Sequence, residues 1–172
     1  MTTVSLVNAA EDVLRQGLAL LAELDDRTFA AVVPAPYSAS IGQHYRHVLD
    51  HFLCLEAGLA TGEINYDNRD RNPRLETDIE YARATTDRLI RVFNDCDSEL
   101  LSQGCVVRYS VAYGDGPSFL PSIIVRELAF CVGHAVHHYA IVRLLCDSVG
   151  VGVLPEFGIA PSTLKYRAQI AG

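Results

Sequence analysis

The amino-acid sequence predicts an all-α protein built as a four-helix bundle, and three observations indicate this class. Apolar residues recur at helical spacing along four long segments. Capping residues and glycines mark the ends of most of these segments. Hydrophobic residues make up 49% of the 172 residues, which is enough for the core of a single domain covering residues 1–172.

The first two helices are predicted from apolar periodicity and from their boundary residues. The first runs from about Val4 to Leu24, with apolar residues close to a 3.6-residue repeat. The second begins after a cap at Ser38 or Ser40 and ends shortly before Gly62. These segments therefore supply half of the predicted bundle.

A polar segment, Glu63–Leu75, separates the second helix from the third. It contains a proline and shows no periodicity, so we expect a linker. It is long enough to run the length of a bundle and to let the second and third helices lie parallel. The third helix is expected to begin near Thr77, where Thr77 and Glu80 form a capping box, and to end at about Leu101 before Gly104.

A strand-like arm, Cys105–Gly116, is predicted before the fourth helix because it is rich in β-branched and aromatic residues and ends in Gly-Asp-Gly. Pro121 suits the first turn of the fourth helix, which runs to Val149 and ends at Gly150. The tail, residues 151–172, contains prolines and glycines, and we expect it to pack across one end of the bundle.

Composition argues against several classes of partner. The formal net charge of −7 disfavours nucleic acid, whose phosphates need clustered lysine and arginine. We expect no membrane span and no secretory signal, because there is neither a long uninterrupted apolar run nor a basic segment before one. The five cysteines are odd in number and form no CxxC pair, so a reduced, cytoplasmic protein is expected.

The histidines are the residues that best indicate what chemistry the protein could perform. All six lie in two patches on the second and fourth helices: His44, His47, His51, His134, His137 and His138. His134 and His138 are four residues apart and share a helical face, whereas His137 is rotated by about 100° from His138. A third imidazole from the facing helix would complete a three-histidine metal site. A structural or proton-shuttling cluster is the alternative interpretation.

The sequence motifs of several other kinds of functional site are absent. The residue after His134 is Ala135, so the HExxH pattern of zinc proteases is absent. The glycine-rich nucleotide loops, GxSxG and the carboxylate set of di-iron bundles are absent as well. A donor set rich in histidine and poor in carboxylate favours zinc or nickel, with ferrous iron as a third option.

With these residues in place, the chain resembles the DinB-like (YfiT-like) family of metal-binding four-helix bundles, in an uncharacterised branch. Three segments carry the resemblance: SIGQHYRHVLDHF (Ser40–Phe52), RELAFCVGHAVHHYAIV (Arg126–Val142) and FGIAPSTLKYR (Phe157–Arg167). The resemblance implies an up-down-down-up bundle with a long crossover between the second and third helices. It also implies a homodimer.

The resemblance further implies that His47, His134 and His138 bind one divalent metal ion. It implies either an enzyme or a binding module. Characterised relatives include metal-dependent transferases and isomerases that use low-molecular-weight thiols, so a small thiol is the expected partner. No nucleic acid or membrane partner is expected.

Two hypotheses about function remain at the level of sequence. In the first, the metal ion activates water or a thiol in a transferase or hydrolase, with His51 as candidate catalytic base, fourth ligand or supporting group. Glu127 is a second candidate proton relay, but we expect it at the surface, and Cys131 is expected to be a small buried thiol. In the second, the protein is a non-catalytic, metal-stabilised homodimeric bundle or a small-molecule-binding module.

Overall fold

The computed structural model of the chain describes residues 3–34, 38–110, 112, 116 and 118–170. It is mostly helical, as the sequence predicts. The described residues form eight helices, α1 (Thr3–Ala22), α2 (Asp26–Ala30), α3 (Ile41–Thr61), α4 (Arg74–Thr77), α5 (Ile79–Asn94), α6 (Ser98–Leu101), α7 (Ile124–Val149) and α8 (Pro161–Ile170). They also form five strands, β1 (Val32–Val33), β2 (Ala39–Ser40), β3 (Glu63–Asn65), β4 (Gly104–Tyr109) and β5 (Ser118–Ile123).

The four long helices, α1, α3, α5 and α7, correspond to the four periodic segments of the sequence. Helix α1 packs against α5 and α7, and α3 packs against the same two helices. The apolar stripes predicted from periodicity therefore meet in one core, whose largest fully buried side chains include Phe29, Tyr45, Phe52, Phe93 and Tyr139. This core holds α3 and α7 face to face.

The ends of α3 and α7 follow from local chemistry. The Ser40 hydroxyl accepts a hydrogen bond from the Gln43 amide, and the Gln43 side chain accepts one from the Ser40 amide, so a capping box begins α3. Gly62 ends α3 and Gly150 ends α7, both in the left-handed backbone region that favours glycine. The predicted boundaries at Ser40, Gly62 and Gly150 are confirmed.

The third helix begins near Thr77, as predicted, but the predicted capping box and the predicted end at about Leu101 are wrong. Asp78 caps α5 by accepting a hydrogen bond from the Tyr81 amide, whereas the Thr77 hydroxyl donates to the Pro73 carbonyl. Helix α5 ends at Asn94, and the short helix α6 that follows has its own cap at Asp97. Local side-chain caps therefore divide one periodic stretch into separate helices.

The fourth helix begins three residues later than predicted. Pro121 does not lie in its first turn but in β5, opposite Val106 of β4. Strands β4 and β5 form an antiparallel hairpin, so the strand-like arm is confirmed over Cys105–Tyr109, while β5 lies beyond the predicted arm. Residues 111, 113–115 and 117 lie outside the described residues. β5 lies at the edge of its sheet, a position that tolerates proline.

The segment predicted as a linker is partly structured. Its first residues form β3, which pairs in parallel with β4 and places Ile64 beside Val107. The side chains of Ile64, Tyr66 and Leu75 are buried. The mostly helical chain agrees with the all-α prediction, but a three-stranded sheet, β3-β4-β5, accompanies the helices. Hydrogen bonds to a distant strand stabilise β3, and no local pattern reveals them.

The tail divides into a packed part and an exposed part. Phe157 is buried and stacks on Tyr139 of α7, and Arg143 donates hydrogen bonds to the carbonyl oxygens of Pro155 and Phe157. Helix α8 has no buried residue among those described. The prediction that the tail packs on the bundle is thus met before α8 and not by α8 itself.

One helix among the described residues, α7, has the length and apolar composition of a membrane span. The core helix of a soluble protein passes the same test, and α7 packs against both α1 and α3.

Candidate metal centre

Four histidine rings from α3 and α7 lie against one another, with His51 buried and His47, His134 and His138 half-buried. The His47 ring centre is 4.4 Å from that of His138 and 4.9 Å from that of His134, and the last two are 4.5 Å apart. His51 is equally close, at 3.9 Å from His134 and 4.8 Å from His47. The packing of α3 on α7 thus brings the two histidine patches together.

Ring nitrogens of His47, His51 and His134 lie within 4.8 Å of one another, and this group could hold a metal ion. The Nδ1 atom of His138 lies 3.0 Å from Nδ1 of His44 instead. The structure therefore brings His47 and His134 together with both His51 and His138. Which of the two completes the ligand set stays a prediction.

His137 lies outside this cluster, in agreement with its predicted rotation away from the shared face. Its side chain is exposed, and its ring is perpendicular to that of His138 at a centre-to-centre distance of 5.3 Å. His137 is therefore a natural control for its neighbours.

The hydrogen bonds of the cluster test whether it suits a metal ion. His51 Nδ1 lies 2.9 Å from the His47 carbonyl oxygen, which can only accept, so Nδ1 carries the hydrogen and Nε2 the lone pair. The Nε2 atoms of His134 and His44 are buried and lack a hydrogen-bond partner. An imidazole nitrogen without a hydrogen-bond partner can offer its lone pair to zinc and similar ions, so the residues fit a metal.

Burial keeps these imidazoles neutral. It lowers the pKa of His47 to about 3, that of His134 to about 2 and that of His138 to about 4, and the neighbouring histidines add to the effect. Burial also lowers the pKa values of His44 and His51. The charged form is disfavoured because it loses hydration. The neutral form is the one that binds a metal.

Among solved structures, the chain is similar to a DinB-like protein (YjoA) of Bacillus subtilis, with a TM-score of 0.60. The likeness covers 90% of this chain and 96% of that chain at 17% sequence identity. The fold is DinB-like. At this level of identity the likeness concerns the fold and not the activity.

The chain is also similar to FK506-binding protein 5 of the fungus Rhizopus delemar. The two are 33% identical over 104 residues, which cover 60% of this chain. The chain spans 27% of the length of that relative, so most of the relative has no counterpart here. No family model matches the sequence.

The prediction that Glu127 lies at the surface is wrong, because Glu127 is only 1% exposed in this DinB-like fold. Its carboxylate accepts hydrogen bonds from the Tyr66 hydroxyl (3.1 Å), the Ser122 hydroxyl (2.5 Å) and Arg126 Nη1 (2.8 Å). The sheet covers this end of α7 and supplies Ser122. A signal existed in the sequence, because Glu127 shares the helical face of Cys131 and His134.

Cys131 is buried, as expected, and its sulfur lies 3.7 Å from the Tyr66 hydroxyl. Burial raises the pKa of its thiol well above the usual range. A thiol that stays protonated is a poor nucleophile, so Cys131 acts as a small core side chain.

Tyr66 connects Glu127 of α7 with His51 of α3. It comes from the segment predicted as a linker, and its ring stacks on that of His51 at 5.4 Å. Its hydroxyl donates to Glu127. A single aromatic residue in a polar segment gave no signal in the sequence, and its position follows from the pairing of β3 with β4.

Proposed function

We propose that this chain is a DinB-like protein that binds one divalent metal ion through His47, His134 and His138 and uses it for catalysis. The observation that carries the proposal is His134 Nε2, which is buried among histidine rings without a hydrogen-bond partner. An unpaired buried polar atom destabilises a fold. One ion would satisfy several of these nitrogens together.

The donor set favours zinc or nickel, with ferrous iron as a third option. Such an ion is a Lewis acid, which lowers the pKa of water or of a thiol and makes a nucleophile available at neutral pH. His51 has its Nε2 lone pair fixed by the hydrogen bond from Nδ1 to His47. We therefore assign His51 either as the general base or as a ligand in place of His138.

The proposed reaction class is a thiol transfer or a hydrolysis, with a low-molecular-weight thiol as the proposed partner. We further propose the up-down-down-up order of the four long helices, a homodimer and a cytoplasmic location, without a nucleic-acid or membrane partner. The net charge of −7 supports the absence of a nucleic-acid partner.

The metal site is tested by titrating the purified, metal-free chain with Zn²⁺ and Ni²⁺ in a calorimeter, with elemental analysis of the loaded protein. We expect one ion per chain. Loss of a supporting residue alone costs about 10–100-fold in metal affinity, so His134→Ala should cost about 100-fold or more. The matched control is His137→Ala, which should change affinity by less than about 3-fold because His137 is exposed. A chain that takes up no ion contradicts the proposal.

Two further variants decide the ligand set. If His138→Ala weakens binding as much as His134→Ala while His51→Ala leaves it nearly intact, the proposed set is supported. The reverse pattern would replace His138 by His51 and exclude His51 as the base.

Catalysis is tested with thiol-transfer and hydrolysis substrates, comparing metal-free, reloaded and His134→Ala protein. Turnover that needs the ion and is lost in His134→Ala supports an enzyme. An ion that raises the melting temperature without any turnover supports the alternative, a metal-stabilised homodimer or small-molecule-binding module.

A further inference from the structure

A cavity of about 490 Å³ lies between the hairpin β4–β5 and the N-terminal half of α7. Its walls are mainly aromatic and aliphatic, from Tyr66, Val107, Tyr109, Leu120 and Phe130. The volume is in the range of small-molecule sites, and a mostly apolar lining with few polar groups is typical of them.

The cavity shares two walls with the histidine cluster. The Tyr66 ring lies 5.4 Å from that of His51, and the Phe130 ring lies 5.9 Å from His51 and 5.7 Å from His134. Tyr66 and Phe130 also contact each other, at 5.2 Å. A molecule in the cavity would therefore contact the Tyr66 and Phe130 rings, and the same two rings pack on the histidines at their other side.

The polar groups in this cavity differ in how many hydrogen bonds they can still make to a ligand. Glu127 is buried and already accepts three hydrogen bonds, so it has little capacity for a ligand. Arg126 donates to Glu127 through Nη1 only, and its side chain is 63% exposed. Its guanidinium also lies over the Phe130 ring, 5.7 Å from the centre. The remaining donors of a planar guanidinium match a carboxylate.

We propose that this cavity binds a small carboxylic acid with a flat apolar body. The body packs on the aromatic wall formed by Tyr66, Tyr109 and Phe130, and the carboxylate pairs with Arg126 at the rim. The proposal deepens the proposed function by naming the chemical class of the substrate, and only the role of this acid as a substrate rests on the proposed metal site. Binding of the acid in the cavity does not depend on the metal, because no histidine lines the cavity.

The probes are 3-phenylpropionate and its neutral analogue 3-phenylpropionamide, titrated into the full chain by calorimetry and by NMR. We expect saturable, one-to-one binding of the acid, with chemical-shift changes at Tyr109 and Phe130. The amide should bind about 10-fold more weakly, because a charge-assisted hydrogen bond is roughly twice as strong as a neutral one.

Variants separate the two halves of the site. Arg126→Gln, which keeps a donor for Glu127, should weaken acid binding by about 10-fold or more and leave amide binding unchanged. Arg126→Lys, which keeps the charge but not the planar guanidinium, should restore only part of the difference. Arg91→Gln is the matched control, since Arg91 is an exposed arginine on α5. Leu120→Trp fills the cavity and should abolish binding of both probes.

Metal-free protein and His134→Ala distinguish this proposal from the proposed function. Acid binding that persists in both supports the cavity even if no metal is ever bound. Acid binding that disappears in both while Arg126→Gln has no effect means that the carboxylate binds the metal directly, which overturns the proposal. Equal affinity for acid and amide, or no saturable binding to the wild-type chain, overturns it as well.

Discussion

Two clusters of buried polar side chains lie two turns apart on α7, and they differ in how their hydrogen bonds are satisfied. The Glu127 carboxylate accepts hydrogen bonds from Tyr66, Ser122 and Arg126. The histidine cluster contains the unpartnered Nε2 atom of His134, and the neighbouring His44 has another. The Glu127 cluster thus finds its hydrogen-bond partners within the chain, whereas the histidine cluster has polar atoms without a partner.

This difference separates a structural role from a binding role. A buried carboxylate with three donors contributes to folding by joining the sheet to α7, and it has little capacity left for a ligand. An unpaired imidazole reduces the stability of the chain alone and gains a partner only from something added. Helix α7 therefore carries the Glu127 cluster, which stabilises the fold, and the histidine cluster, which still has atoms free to bind a ligand.

The largest expected effect comes from replacing Glu127, the acceptor of all three hydrogen bonds in its cluster. Glu127→Leu should lower the free energy of unfolding by about 3 kcal/mol, because the buried Tyr66 hydroxyl keeps only the weak acceptor Cys131 Sγ and the Ser122 hydroxyl loses its acceptor. Urea denaturation followed by circular dichroism measures this value. The loss should be the same with and without added Zn²⁺, since Glu127 is not among the proposed ligands.

Glu80→Leu is the matched control for that variant. The Glu80 side chain is 86% exposed on α5, so its replacement should change stability by no more than about 0.5 kcal/mol. A Glu127→Leu protein as stable as the Glu80→Leu protein would show that the carboxylate network adds nothing to the fold.

The second prediction concerns pH and the histidine cluster of metal-free protein. The folded-state pKa values of His47, His134 and His138 lie below the unfolded value of about 6.5. The unfolded chain therefore binds protons first as the pH falls. Stability should be complete above about pH 7.5 and should decrease steadily as the pH falls through 6.5 and below. Thermal melts at several pH values measure the decrease.

A comparison of variants isolates the histidine contribution. His134→Leu should flatten the pH dependence. His137→Ala should flatten it much less, because the exposed His137 only adds to the lowering of the pKa values of His44, His134 and His138. The carboxyl group of Asp50, whose pKa burial raises above its usual value, titrates in all of these proteins and cancels between them. An unchanged slope in His134→Leu would mean that the cluster does not control acid sensitivity.

The two clusters also differ in how well the sequence predicts them. The histidine stripes depend only on spacing along α3 and α7, and the caps at Ser40, Gly62 and Gly150 fix the boundaries of those helices. Helical geometry is local, so these features could be predicted. The Glu127 network depends on Ser122 and Tyr66, which reach α7 only because β3 pairs with β4 and β4 with β5. Such long-range pairing leaves no periodic pattern in a polar segment.

The smallest expected effect is the most specific test of the difference between the clusters. In metal-free protein, His134→Leu removes an unpaired buried nitrogen and keeps an apolar side chain in its place, so we expect a change between zero and a gain of about 1 kcal/mol. With Zn²⁺ at about 100 times its dissociation constant, the wild-type chain should gain about 2.7 kcal/mol and the variant almost nothing. Thermal melts with and without Zn²⁺ provide both values. If His134→Leu lowers the stability of the metal-free protein by several kcal/mol, then His134 has a partner within the chain, and the histidine cluster belongs to the same structural class as Glu127.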